Sequence, residues 1–80
     1  MEKGNVEELV ELLEVIREEE YLTIVGMAHR MGFSAGHLSM VLSGKRRPGI
    51  RFVRAAMRTF PRVRKLVAKQ IANLEATEDD

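Results

Sequence analysis

Cysteine is missing from the 80-residue chain, and aromatic residues are scarce. Without cysteine the fold contains no disulfide, a composition typical of a reducing compartment. No wholly apolar run approaches the ~20 residues that a membrane-spanning helix needs, and the acidic N-terminus has no signal-peptide pattern. We therefore expect a cytoplasmic protein with no membrane partner, stabilised by helix packing or by a partner subunit.

Acidic residues are absent from the whole central part of the chain. Residues 21–69 contain eleven lysines and arginines and no carboxylate, so all 12 acids lie in residues 1–20 and 70–80. A net charge of only +1 conceals this segregation. The pattern predicts a positive surface that suits a polyanionic partner.

Neither an enzyme active site nor a metal site is predicted. His29 and His37 have no carboxylate within residues 21–69 to orient them, and histidines and acids never cluster at metal-ligand spacing. We interpret His29 as a surface residue. The expectation is a protein without enzymatic activity, metal or cofactor.

Hydrophobic spacing predicts an all-α fold. Apolar residues recur every three to four positions through five segments, and no segment alternates as a strand would. The predicted helices cover residues 6–19, 24–31, 35–43, 50–59 and 62–75. They are expected to form a single domain over residues 1–75, followed by a disordered acidic tail at 76–80.

Polar capping residues predict where three of these helices begin. Asn5 is expected to cap the first helix, with Glu8 completing a capping box. Thr23 and Ser34 stand immediately before the second and third helices. In the fourth helix, the spacing predicts five inward-facing residues: Ile50, Val53, Ala56, Met57 and Phe60.

The segment MAHRMGFSAGHL at residues 27–38 places Gly32 between the second and third helices. Glycine readily adopts the left-handed backbone that ends a helix. Two short helices joined by such a turn form a helix-turn-helix unit, whose second helix is exposed as a ridge. A helix fits the major groove of B-DNA, and the basic segment KRRPG follows at residues 45–49.

Residues 22–61, LTIVGMAHRMGFSAGHLSMVLSGKRRPGIRFVRAAMRTFP, resemble the lambda-repressor-like (Xre/Cro-type) helix-turn-helix family. Thr23 precedes the second helix, Ala28 is the small residue within it, and Gly32 occupies the turn. The SGKRRP segment at 43–48 is similar to the family's Gly-basic-Pro segment. The resemblance implies a compact five-helix domain that binds double-stranded DNA as a small, repressor-like, nucleoid-associated regulator of transcription.

The resemblance also implies the site residues. The helix at 35–43 would enter the major groove with six residues nearest the bases: Ala35, Gly36, His37, Ser39, Met40 and Ser43. Seven residues would meet the DNA backbone: Thr23, Ser34, Lys45, Arg46, Arg47, Arg51 and Arg54. Ile24 departs from the family, which often has a phosphate-contacting Gln there. The later cations, including Arg58, are interpreted as solvated surface.

Oligomeric state and function each leave alternatives open. The apolar spacing of the fifth helix could serve a homodimer or only its own domain, through Val63, Leu66, Val67, Gln70, Ile71 and Leu74. A protein–protein adaptor that reuses the fold is the main alternative function. RNA or single-strand binding and a membrane-surface role are weaker ones. Within DNA binding, a phage-type repressor, an antitoxin-like regulator and a mobile-element factor remain open.

Overall fold

The computed structural model describes the backbone of residues 4–78 and the side chains of residues 4–73. The described chain forms five helices and no strand, which confirms the all-α prediction. The helices are α1 (Asn5–Glu19), α2 (Ile24–Met31), α3 (Ala35–Leu42), α4 (Ile50–Thr59) and α5 (Pro61–Glu78). α5 thus extends three residues beyond its predicted end at 75. Asp79 and Asp80 of the predicted tail lie outside the described residues.

The start of α1 differs by one residue from the prediction. Gly4, not Asn5, is the N-cap, and the Glu7 carboxylate accepts a hydrogen bond from the Gly4 N–H at 3.2 Å. Glu8, the residue expected in this role, instead has its carboxylate 3.4 Å from the amide nitrogen of Gln70. Two adjacent glutamates both fit the capping-box pattern, so local spacing alone did not decide between them.

The predicted caps of α2 and α3 are confirmed. The Thr23 hydroxyl accepts a hydrogen bond from the Gly26 N–H at 2.9 Å, and the Ser34 hydroxyl accepts one from the His37 N–H at 3.1 Å. Gly32 ends α2 with φ of 77°, the left-handed conformation that glycine adopts without strain. Local backbone chemistry therefore fixes the turn that positions α3.

One apolar core joins the five helices. Its fully buried members come from every helix: Leu9, Leu13, Ile16, Met27, Ala28, Met31, Leu38, Val41, Phe52, Ala55, Ala56, Phe60 and Val63. α3 lies against α2 and α1, and α4 lies against α2 and α5. This packing buries one face of α3 and leaves its other face to solvent.

The predicted inward face of α4 was partly wrong. Ile50 is 67% exposed, whereas Phe52 and Ala55, which were not assigned inward, are buried. Ala56 and Phe60 are buried as expected. Ile50 is the first residue of α4, and the helix turns Phe52 into the core instead.

α5 is held against α1 by polar contacts as well as by the core. The Gln70 side chain donates a hydrogen bond to the Asn5 carbonyl at 2.9 Å. Towards the start of α5, Arg62 forms an ion pair with Glu19 at 2.6 Å. The fifth helix therefore uses much of its inner face within its own chain.

Candidate nucleic-acid interface

The outward face of α3 is small and mostly uncharged. Four of the six predicted base-facing residues are exposed: Gly36, Ser39, Met40 and Ser43. Ala35 and His37 are partly buried. The exposed face contains no carboxylate, so nothing on it repels a phosphate, and it contains none of the long side chains that most often read base edges.

His37 has a packing role that the sequence did not predict. Its ring stacks on Phe52 with centroids 5.8 Å apart and planes 9° apart, and it meets Phe33 edge to face at 4.8 Å. The Phe33 and Phe52 rings contact each other at 5.3 Å. This cluster connects α3 to α4 through the buried Phe52 ring. Because His37 is partly buried, only part of its ring is accessible to a nucleic acid.

Three helix starts in this region have no acid nearby. The first turns of α2, α3 and α4 contain no acidic residue. Their unpaired N–H groups and the helix dipole therefore keep positive partial charge. Ser34 caps α3, and Thr23 caps α2, so each predicted backbone-contacting hydroxyl lies at such a helix start.

The basic loop after α3 is tied to the end of that helix. Gly44 adopts φ of 82°, and the Lys45 and Arg46 N–H groups both donate to the Met40 carbonyl, at 3.0 and 3.2 Å. These bonds fold the loop back on α3 while the side chains of Lys45, Arg46 and Arg47 stay exposed. The loop cations are thus held beside the outward face of α3.

An open cleft of about 820 Å³ lies between the turn before α3, the basic loop and α4. Five arginines line it, and we call it the arginine cleft: Arg46, Arg47, Arg51, Arg54 and Arg58. Ser34 and His37 from α3 line it too, beside the buried residues Phe52 and Ala55. The cleft therefore joins the start of α3 to a concentration of positive charge.

The arginines of the cleft form no ion pair with another described residue. Ion pairs between described residues join Arg30 to Glu20 at 3.0 Å and Arg62 to Glu19 at 2.6 Å. Both lie outside the cleft. Guanidinium groups pair readily with carboxylates or phosphates, so five of them that share one open cleft and have no ion-pair partner among the described residues favour an anionic partner.

Most of the residues predicted to contact the DNA backbone lie together in the structure. Ser34, Arg46, Arg47, Arg51 and Arg54 all line the arginine cleft, whereas Lys45 and Thr23 are exposed outside it. Arg58, which the sequence interpretation assigned to solvated surface, lines the same cleft. Its spacing of seven residues from Arg51 and four from Arg54, on one face of a helix, is the signal that could have found it.

The described residues contain neither a cluster of metal-binding side chains nor a helix suited to spanning a membrane. No group of three or more histidines, cysteines or acids lies close enough to hold a metal ion there. No helix in that part of the chain combines the length and hydrophobicity needed to cross a membrane.

Comparison with known proteins identifies one family. A family model described as a helix-turn-helix domain matches residues 8–68, which includes α2, α3, α4 and most of α1. The chain has no significant match among curated proteins or solved structures.

Proposed function

The chain belongs to the helix-turn-helix domain family, and from this we propose that it binds double-stranded DNA as a small, repressor-like regulator of transcription. α3 enters the major groove, and the basic loop and the start of α4 hold the flanking backbone. The proposed sub-family is the lambda-repressor-like one, on the five-helix order and the basic segment after α3. A DNA partner places the protein at the nucleoid.

The observation that carries this proposal is the arginine cleft beside α3. Five arginines without a described ion-pair partner line one side of the molecule, next to a helix face that lacks acids. Phosphate contacts of this kind fix the register of a protein on the duplex. Lys45, exposed in the basic loop next to Arg46, adds a sixth cation, and Thr23 adds the start of α2.

Base recognition in this proposal rests on few groups. Ser39 and Ser43 offer hydroxyls, although the Ser43 hydroxyl donates to the Met40 carbonyl at 3.2 Å. The exposed Met40 side chain suits contact with a thymine methyl. Because bidentate readers are missing, we propose that backbone contacts and DNA shape supply most of the affinity.

The packing of α5 limits which of the predicted residues could contact a second copy in a homodimer. Val63 is fully buried, Leu66 and Val67 pack against the core, and Gln70 bonds to α1. Ile71 is 51% exposed, so it is the described residue of the predicted set that is most available to a second copy. The side chain of Leu74 lies outside the described residues.

The test measures binding to a labelled random-sequence duplex, with fluorescence anisotropy as the readout, at about 50 and 200 mM salt. The wild type is compared with the double variant Arg46→Ala/Arg47→Ala. With about six phosphate contacts, log Kd should change with log salt with a slope near 5, and the variant should bind more weakly with a shallower slope.

The adaptor alternative predicts the opposite result. α3 presents an uncharged face with Met40 exposed, which also suits a protein partner. In that case folded protein at tens of micromolar would not bind the duplex at the lower salt concentration. That result would overturn the DNA proposal and assign the arginine cleft to an acidic protein surface.

A further inference from the structure

We propose that Arg58 contacts the DNA backbone, and that it forms with Arg51 and Arg54 a continuous row along α4 that follows the phosphates of one strand. This inference rests on the proposed function, and it extends the expected contacts from the start of α4 to its last turn. We call these three residues the α4 row.

The three residues share one face of one helix. They stand at positions i, i+3 and i+7 of α4, which brings their side chains onto the same side. At 1.5 Å per residue the row rises about 10 Å along the helix. All three line the arginine cleft together with Ser34 at the start of α3, so the row and α3 face a common space.

Contacts with α2 and burial of Ala55 hold the last turn of α4, which positions the α4 row. Ala55, which lies between Arg54 and Arg58 in the chain, is buried and lines the cleft. Its carbonyl accepts a hydrogen bond from the Thr59 hydroxyl at 2.7 Å, and that hydroxyl also lies 3.4 Å from the Arg30 carbonyl of α2. The last turn of α4 is therefore fastened next to α2, with Arg58 on its outer side.

Arg58 differs from the next two arginines of the chain. Arg62 forms an ion pair with Glu19, and Arg64 donates a hydrogen bond to the Met57 carbonyl at 2.8 Å. Arg58 is exposed and has no such bond to a described residue. Its guanidinium group is thus free for an external anion, whereas those of Arg62 and Arg64 are used in the fold.

The length of the row favours a strand of DNA over a single small anion. Phosphates on one strand of B-DNA repeat every ~3.4 Å of helix axis and lie further apart than this along the strand itself, so a row of about 10 Å can reach more than one phosphate. One inorganic phosphate could occupy only part of it. A polymeric anion is the ligand that uses the whole row.

The experiment measures the salt dependence of duplex binding for single-alanine variants with equal loss of charge. Arg58→Ala is compared with Arg51→Ala as the positive reference and with Lys65→Ala as the matched control. Lys65 is an exposed cation of α5 that does not line the cleft. Arg58→Lys keeps the charge and serves as the rescue variant. Circular dichroism and thermal unfolding check that each variant is folded.

We expect Arg58→Ala to lower the slope of log Kd against log salt by about 0.9, as Arg51→Ala does, and Arg58→Lys to retain most of the wild-type slope. Lys65→Ala should leave the slope unchanged. If Arg58→Ala behaves like Lys65→Ala while Arg51→Ala still lowers the slope, this inference is wrong and the proposed function stands. If the wild type does not bind the duplex, both are overturned.

Discussion

α1 and α4 carry charge of opposite sign and use it in different ways. Several carboxylates of α1 bond within the chain, as Glu7 does to the Gly4 N–H and Glu19 to Arg62. The arginines of α4 have no described partner and line an open cleft. Charge that is paired within the fold is used there, whereas charge that the fold leaves unpaired in a cleft is available to a partner.

The largest expected effect separates the two faces of α4 itself. Phe52→Ala should destabilise the protein by about 3–5 kcal/mol, because it empties the space of a fully buried ring. A core of this size yields only about 3–5 kcal/mol, so the variant should be largely unfolded at 25 °C. Chemical denaturation followed by circular dichroism measures it.

Ile50→Ala is the matched control for that change. Ile50 is 67% exposed, so its truncation should change the unfolding free energy by less than about 0.5 kcal/mol. If Ile50→Ala cost as much as Phe52→Ala, the rotation of α4 described here would be wrong. The cleft would then not contain Arg51 and Arg54 as a pair.

The next prediction reverses charge on each of the two helices. Arg51→Glu/Arg54→Glu should weaken duplex binding by about 100-fold or more at low salt, since two contacts become repulsions. Glu14→Lys/Glu18→Lys on α1 changes the net charge by the same amount in the other direction, at exposed positions. It should bind DNA at least as well as the wild type.

Anisotropy titrations measure both double variants, and thermal unfolding checks their folding. Should the α1 variant lose binding as severely as the α4 variant, the acidic helix would belong to the interface and the division between the two helices would fail. A loss confined to the α4 variant would place the interface on the arginine cleft.

Replacing each of two glycines near the start of α3 should change the unfolding free energy by a smaller amount, with opposite signs for the two positions. Gly32→Ala should cost about 1 kcal/mol, because alanine is strained at φ of 77°. Gly36→Ala should stabilise the protein by about 0.5–1 kcal/mol, since it removes a glycine from inside a helix and its methyl would meet nothing within 4 Å. Thermal unfolding measures both changes.

Gly36→Ala also tests how closely α3 approaches DNA. Within the chain its methyl has open space, so any loss of duplex affinity must come from contact with the DNA. We expect a more stable protein that binds more weakly. A more stable protein with unchanged affinity would show that this part of α3 does not touch the bases.

Features set by neighbours within three or four residues were predictable from the sequence. The Thr23 and Ser34 caps and the left-handed Gly32 follow from local backbone chemistry, and the structure has each of them. The bounds of α2 and α4 follow from the same chemistry and from hydrophobic spacing.

Features set by long-range packing were not predictable in the same way. Ile50 and Phe52 are both apolar, and it is Phe52 that packs into the core and contacts His37 and Phe33 on other segments. The same contact partly buries His37, which helical phase alone had turned outward. Arg58 joined the arginine cleft because the rotation of α4 brings it beside α3.

The smallest expected effect concerns the ion pair that represents charge held by the fold. Arg62 and Glu19 lie 2.6 Å apart, but their side chains are 53% and 60% exposed, so water and salt screen the attraction. A double-mutant cycle with Arg62→Ala and Glu19→Gln should give a coupling below about 1 kcal/mol.

The Arg62→Ala variant should also leave the salt slope of DNA binding unchanged, because Arg62 lies outside the arginine cleft. A lowered slope would mean that this pair opens on DNA and that α5 joins the interface. An unchanged slope with weak coupling would mean that Arg62 lies outside the interface and that its pair with Glu19 adds little stability, so the arginines of α4 would remain the cations that serve a partner.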